Sequence, residues 1–417
     1  MSGMIFRPIK VLSLDIDRPL SPIDLTRAGD IAYGGIFCLV RSGAQPLAIV
    51  EMDHPGPAVM PEELRAAIGS LQPLPFPSAG RASAREHTAV VIATRDRPVS
   101  LDRCLVSLFE QTRIPDEIVV VDNAPASAET ATLLATRYPG RVRHVLEPTP
   151  GLGRAHNTGM RHVSSDLVLF TDDDVVLDRH WVAAMTEPME EDKAVGCVTG
   201  LILPAELETR AQVWTERHGG FGKGLYRRTY DLQANRPDGP LFPFTAGQFG
   251  SGANMAFRTS ALRSVGCFDP ALGAGTRARG GDDLAAFFSI VNGGYRLVYQ
   301  PQGIVWHYHR RSEDGMRRQA YCYGMGLGAY LMKIAMDDPR RFLRLAAAFP
   351  AGLLHIAGPA SEKIARLPAD YPRRLVWMER LGILAGGPGY LRSLAQRRRD
   401  DRPLGRLSGS MPANRGA

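Results

Sequence analysis

From residue 88 the chain alternates short apolar runs with stretches in which apolar residues return every three or four positions. Residues 88–94, 117–121, 142–146 and 167–170 have the first pattern and predict strands. Residues 99–111, with Leu101, Leu105, Leu108 and Phe109 on one face, have the second, and 126–138 and 152–163 also predict helices. Short apolar strands separated by helices imply a parallel sheet covered on both faces. Further on, residues 250–258 predict a strand, 259–265 a short helix, 272–281 a Gly/Arg-rich loop and 282–291 a helix. Residues 295–299 and 303–306 predict two strands. After 317 the pattern is helical with glycine interruptions.

Residues 1–80 have a different rhythm and predict a small separate module. Two β-rich runs, 36–41 and 46–52, suggest a hairpin; 61–70 predicts a short helix opened by Pro61, and 71–80 a proline-rich linker. The last stretch, 397–417, is polar and rich in Gly and Pro, which suggests a disordered basic tail. The expected division is therefore 1–80, 81–318, 319–396 and 397–417.

In a parallel sheet, ligands collect beyond the carboxyl ends of the strands. Polar clusters fall there: Thr94-Arg95-Asp96-Arg97, Asp122-Asn123 and Asp172-Asp173-Asp174. Alternate residues of an extended chain face one way, so Asp172 and Asp174 can share a crevice and hold magnesium or manganese. The competing reading is an N-cap cluster for a helix starting at Val175. Asp122 can accept hydrogen bonds from a base or ribose. Arg95 and Arg97 can contact phosphate or nucleoside, against the alternative of a solvated turn. Gly151-Leu152-Gly153-Arg154 opens a helix whose amides and arginine suit an anionic phosphate. Gly280-Gly281-Asp282-Asp283 reads as a glycine-hinged loop carrying a carboxylate able to take a proton from a hydroxyl, or as simple dipole capping. Trp306-His307, with His309 two residues on, offers an imidazole that can complete the metal site.

Composition narrows the class. The chain has 417 residues, 44% apolar and 22% charged, which excludes a disordered protein, a collagen-like fibre and a disulfide miniprotein. Five scattered cysteines without a CxxC pair fit reduced thiols in a cytosolic protein. No signal peptide is visible at the N-terminus. The formal charge of +7 is unevenly spread: residues 305–417 hold 20 basic and 9 acidic side chains, whereas residues 1–304 hold 30 and 34. A nucleic-acid partner is therefore not expected for the body of the chain. The basic C-terminal region contains an uncharged run, 345–361, which reads either as a buried helical hairpin or as a segment at an anionic membrane surface.

Taken together, these residues resemble the family 2 glycosyltransferases over about residues 87–310. Val90 to Arg97 looks like the family's opening strand and nucleoside turn, Asp172-Asp173-Asp174 like its D-x-D metal motif, and Gly252 to Arg258 like its acceptor-side strand. Gly281-Asp282-Asp283 stands where the family usually has Glu-Asp, which leaves the base open between Asp282 and Asp283. The resemblance implies a GT-A-type α/β fold, with a mixed, mainly parallel sheet flanked by helices, plus a small β-rich N-terminal module and a helical C-terminal extension. It implies a nucleotide-sugar donor, a divalent cation (Mg2+ or Mn2+) and inversion at the anomeric carbon. Donor contacts would come from Thr94, Arg95, Arg97, Asp122, Arg154, Asn157, Asp172 and Asp173. Asp172, Asp174 and His307 would hold the metal, and Gly252 and Asn254 would lie on the acceptor side. The expected partner is a glycan or lipid-linked acceptor, for an enzyme in the cytoplasm, peripheral to the inner face of the plasma membrane. The alternatives are a nucleotidyltransferase and a non-catalytic nucleotide- or glycan-binding scaffold. A dinucleotide-binding dehydrogenase fits poorly, because the first strand runs into Thr-Arg-Asp-Arg and not a glycine-rich turn.

Overall fold

The computed structural model describes residues 6–27, 32–69, 85–217, 220–357 and 371–400. The expected linker at 71–80 and the final 401–417 lie outside the described residues.

The N-terminal part holds β1 (Lys10–Asp15), β2 (Ile23–Asp24), β3 (Gly35–Ser42), β4 (Gln45–Asp53), β5 (Ala58–Val59) and α1 (Pro61–Gly69). The hairpin is present as the antiparallel pair β3–β4, and β1 adds in parallel to the other side of β3. Alternation along β3 serves two cores. Ile36, Cys38 and Val40 pack with Leu64 of α1, whereas Phe37 and Leu39 pack with Leu201, Leu203 and Ile304 of the larger domain. An ion pair between Arg41 and Asp178 joins the two parts. The module is thus seated on the domain and not held apart from it.

The larger domain runs through β6 (Thr88–Thr94), α2 (Pro98–Phe109), β7 (Glu117–Asn123), α3 (Glu129–Arg137), β8 (Arg143–Glu147), α4 (Leu152–Arg161), β9 (Leu167–Asp172), β10 (Val175–Leu177), α5 (Trp181–Glu191) and β11 (Val195–Pro204). It continues with α6 (Arg210–Arg217), β12 (Arg228–Tyr230), β13 (Asn254–Arg258), α7 (Thr259–Ser264), α8 (Asp282–Asn292) and β14 (Arg296–His307). The sheet order is β10-β14-β11-β13-β9-β6-β7-β8, with β12 beside β14. The pairs β9–β6, β6–β7 and β7–β8 are parallel, and β13 is antiparallel to both its neighbours. This is the expected mixed, mainly parallel α/β architecture. Ala89, Val91, Val168 and Phe170 face the core formed with α4, α7 and α8, whereas Val90, Ile92, Leu167 and Leu169 face α2, α3 and α5. Both faces of the strands are buried, which is why they read as continuous apolar runs.

Two sequence expectations need correction here. The strands expected at 295–299 and 303–306 are one strand, β14. Its pairing with β11 jumps between Gly200↔Gln300 and Leu201↔Ile304, so residues 301–303 bulge out. The chain after Asp174 forms β10, not a helix, so the acids are not an N-cap cluster.

Among the described residues three long helices follow: α9 (Glu313–Asp337), α10 (Pro339–Ala357) and α11 (Arg373–Asp400). Their glycines do not interrupt them. A Cβ on Gly324 or Gly328 would lie 1.9 or 2.1 Å from the carbonyl oxygens of Glu379 or Ile383, and one on Gly382 or Gly386 would lie 2.2 or 2.4 Å from those of Tyr321 or Met325. The glycines are where α9 and α11 touch backbone to backbone. Ala329, Tyr330 and Ile334 of α9 belong to the main core, so this helix is part of the domain. Arg397–Asp400, expected in the tail, are the last turn of α11. The expected uncharged segment 345–361 falls mostly in α10, and residues 358–370 are outside the described set. Among the described residues no helix is long and apolar enough to cross a membrane.

Candidate active site

Chain order places β7 and β8 on one side of β6 and β9 on the other. The sheet therefore changes direction of growth between β6 and β9, and a crevice opens beyond the ends of these strands. The register brings Ala93 beside Asp172 and Thr94 beside Asp122, so the polar ends sit at one level.

The turns after β6 and β7 both enter the left-handed region, with φ +53° at Asp96 and +49° at Ala124. Such values are uncommon for non-glycine residues and mark turns held by their surroundings. Here the Asp96 carboxylate accepts from the Ala126 amide at 2.8 Å and ties the two turns together. Asp122 is buried; its Oδ2 lies 3.5 Å from His144 Nε2, and its Oδ1 has no hydrogen-bond partner. Burial raises its pKa, and His144 opposes that shift. An unpartnered buried carboxylate oxygen at a strand end is poised to accept a ligand donor. Asn123 instead fixes the next loop, donating to Glu147 O and Thr149 O and accepting from the Gly151 amide.

The acid cluster is built by a tight turn. Strand β9 ends at Asp172, and the chain reverses through Asp173 and Asp174 into β10, which pairs antiparallel with the end of β14. Val175 pairs with His307, which brings the imidazole onto Asp174: Nε2 lies 3.3 Å from Oδ1. Asp172, Asp174 and His307 offer ligand atoms all within 4.8 Å of one another, and these three residues can hold a metal ion. Asp173 points the other way, accepting from Thr94 Oγ1 at 2.7 Å and from Arg97 at 3.0 Å. Thr94 and Asp173 thus hold each other. The Arg97 guanidinium also reaches Asp174 at 3.1 Å, and Arg310 stands 3.7 Å from it.

The electrostatics of the cluster are strained. Burial, then the neighbouring Asp174, push Asp172 up to about 7. Asp174 meets the same push of burial, but the hydrogen bond and charge of His307, with Arg97 and Arg310, carry it down to about 2. A divalent cation among these groups would relieve the crowding of negative charge.

His307 does not act alone. Its Nδ1 is 3.2 Å from His309 Nδ1, and His309 Nε2 is 2.9 Å from Glu216 Oε2. Glu216 accepts the Nε2 proton of a neutral His309, whose Nδ1 then accepts from His307 Nδ1. Without a cation, His307 Nε2 carries the proton that Asp174 accepts; a cation between them would replace that proton and take the Nε2 lone pair. Phe221 packs against both rings. Glu216, Phe221 and His144 were not anticipated from the sequence; two of them lie in or beside the irregular stretch after α6.

Asp283 stands at the start of α8, beyond the end of β9. Its Oδ2 accepts from the Gly252 amide at 2.9 Å and its Oδ1 from the Leu284 amide at 2.8 Å. Burial and the adjacent Asp282 push it up to about 6, against the two amides. Asp282 turns inward: it is 4% exposed, and its Oδ2 lies 3.5 Å from His156 Nδ1 on α4. The preceding glycines are not hinges. Gly281 has φ +85°, and a Cβ there would lie 2.4 Å from Gly326 O, so they let α9 close onto the loop.

Two expected ligand contacts are structural instead. Asn157 donates to Phe268 O at 2.8 Å and accepts from its amide at 3.0 Å, which commits both ends of its side chain. Asn254 is fully buried; it accepts from the Trp181 indole and donates to Leu201 O and Gly303 O, pinning β13 to β11 and the bulge of β14. Arg154 lies in the first turn of α4, 3.8 Å from Asp400. Arg95 is half-exposed near Asp96.

Residues 89–266 match the family model described as glycosyl transferase family 2. Over 279 residues the chain is 26% identical to the pre-mycofactocin glycosyltransferase of Mycobacterium tuberculosis, covering 67% of this chain and 54% of that one. It is 35% identical over 92 residues to the amylovoran biosynthesis glycosyltransferase AmsE of Erwinia amylovora, covering 21% of this chain and 34% of that one. Among solved structures, it is similar to the mannosyltransferase PcManGT from Pyrobaculum calidifontis in complex with GDP-Man and Mn2+, with 20% identity, a TM-score of 0.48, and coverage of 76% of this chain and 90% of that chain. The chain spans about half the length of the first curated relatives it matches. The strand-end acids and the sheet that carries them fall within or beside the matched residues 89–266, and over this segment the chain is similar to the family 2 glycosyltransferases.

Proposed function

We propose that the chain transfers a sugar from a nucleoside-diphosphate sugar to an acceptor hydroxyl, with inversion and with the help of a divalent cation. The observation that carries this reading is the convergence of Asp172, Asp174 and His307 at the crevice, with His307 Nε2 3.3 Å from Asp174 Oδ1. A magnesium or manganese ion held by these three residues would neutralise charge developing on the departing diphosphate. Asp122 accepts from the base or ribose through its unpartnered oxygen, and Arg95 and Arg97 contribute positive charge beside the phosphates. Asp283, at the start of α8 beside Gly252, accepts the proton of the acceptor hydroxyl. The acceptor oxygen bonds to the anomeric carbon as the bond to the diphosphate oxygen breaks. The electron pair leaves with the nucleoside diphosphate, and the proton remains on Asp283.

Asp283 is favoured over Asp282 as base because Asp282 faces His156 in the interior. Arg154, at the N-terminus of α4, would assist with donor phosphate once freed from Asp400. An acceptor carried on a glycan or a lipid suits this reading, with the enzyme working at the cytoplasmic face of a membrane.

The test is a panel of nucleotide sugars incubated with the purified chain, with and without Mn2+ or Mg2+. The expected outcome is metal-dependent release of nucleoside diphosphate for one donor. Pyrophosphate release would give the site to a nucleotidyltransferase. Donor binding without turnover for every acceptor tested would leave a binding scaffold.

A further inference from the structure

Helix α11 has two faces of opposite character. Its inner face is built on Gly382 and Gly386, where the backbone meets α9, with Leu375, Tyr390 and Ser393 buried beside them. Its outer face carries Trp377, Leu381, Leu384 and Leu391, which are 62, 57, 76 and 46% exposed. With exposed Pro388 between them, these positions are four, three, four and three residues apart and form one straight stripe. At the helical rise the stripe is about 21 Å long.

Arginine borders the stripe. Arg373 and Arg374 are exposed at one end, and Arg392, Arg398 and Arg399 towards the other. Arg380 stacks over the Trp377 ring at 5.2 Å. The helix has two carboxylates. Glu379 lies round the helix from the stripe, and Asp400 is paired with Arg154. On α10, which packs on α9, Phe342 and Leu343 are also exposed, between Arg340 and Arg344.

An apolar row of this length in water calls for an occupant. A second copy laid stripe on stripe would bring arginine against arginine with no acid on either face to answer it. An anionic lipid surface answers both features: acyl chains take the apolar row, headgroups meet the arginines, and tryptophan favours the boundary between them.

We propose that the outer face of α11 docks on anionic lipid, with the helix lying in the plane of the membrane surface and its glycine face holding the catalytic domain. The same helices reach the site. A Cβ on Gly389 would lie 2.9 Å from Arg277 O, and Gly326 of α9 packs on Gly280 and Gly281, so the docked helices border the loop that leads into Asp282 and Asp283. The acceptor side of the crevice is thereby held near the lipid surface.

The experiment uses the full chain with phosphatidylcholine vesicles, with and without phosphatidylglycerol, at low and high salt. Binding is expected only to the anionic vesicles, and it weakens as salt rises. Tryptophan emission shifts to the blue on binding, and the shift disappears in Trp377→Phe, since Trp181 and Trp214 are buried in the fold and Trp306 packs against the core shared with the N-terminal module. The triple variant Leu381→Ser, Leu384→Ser, Leu391→Ser weakens vesicle binding by about tenfold or more, with unchanged thermal unfolding, because the opposite face does the packing. Absence of binding by the unmodified chain overturns the proposal. So does equal binding by the triple variant, which would give the affinity to residues 401–417. A change in self-association with unchanged vesicle binding would give the stripe to a second copy. Failure of the transferase reading leaves the vesicle result intact, so the two are separable.

Discussion

The Asp283 carboxylate already accepts two backbone amides, yet burial and Asp282 hold its pKa near about 6. A base must be deprotonated to act, so transfer should increase as pH rises through about 6 and level off above it; a rate that falls over that range would remove Asp283 from the role. Asp283→Asn should lower turnover by roughly 10²–10⁴-fold while donor binding, followed by calorimetry, is retained. Glu216 lies 2.9 Å from His309 Nε2, and His309 Nδ1 lies 3.2 Å from His307 Nδ1, so Glu216 would set the His307 tautomer through His309. Glu216→Ala should weaken Mn2+ binding by about 10–100-fold in a direct titration, with the fold intact. The shared edge that carries Asp122, Asp172, Asp174 and His307 was legible in the sequence because strand ends in a parallel sheet lie together. Glu216 was not, because nothing local ties α6 to the end of β14. The backbone bonds of Asn157 and Asn254 were not legible for a related reason: an amide serves whichever backbone the tertiary fold brings beside it.

Among the elements, the α9–α11 pair shows most clearly where linear pattern fails. Glycines in a helical stretch read as interruptions, since glycine weakens a helix. Here Gly324, Gly328, Gly382 and Gly386 allow two backbones to touch, which only the partner helix reveals. Gly328→Ala would put a methyl group 2.1 Å from Ile383 O and should destabilise the protein by ~1–3 kcal/mol or more in denaturant unfolding. Gly69→Ala, where nothing lies within 4 Å, should change stability by less than ~0.5 kcal/mol. The strands and helices from β6 to β9 were readable to within a few residues because each is buried on two faces or one. The strands β10, β11 and β12 were not read, and β14 was read as two, because Pro301, Gln302 and Gly303 interrupt the apolar run without ending the strand.

At the scale of the molecule, the expected helical extension is not an appendage. Tyr330 and Ile334 of α9 are completely buried in the main core, and the Tyr330 hydroxyl donates to Phe244 O. A chain ended at residue 312 should therefore fail to fold, whereas one ended at 400 should keep its unfolding midpoint; circular dichroism melting separates the two. The N-terminal module is similarly committed, since one side of β3 completes a core shared with β11 and β14. The bulge in β14 sets a parity for this assembly. Trp306 packs towards the N-terminal module, and its neighbour His307 faces Asp174. Removing one residue from 301–303 would exchange those directions and present an indole where the imidazole belongs. Deleting Gln302 should thus cost far more metal affinity than Gln302→Ala. This stretch can change its letters but not its count, so the site is guarded here by arithmetic as much as by chemistry.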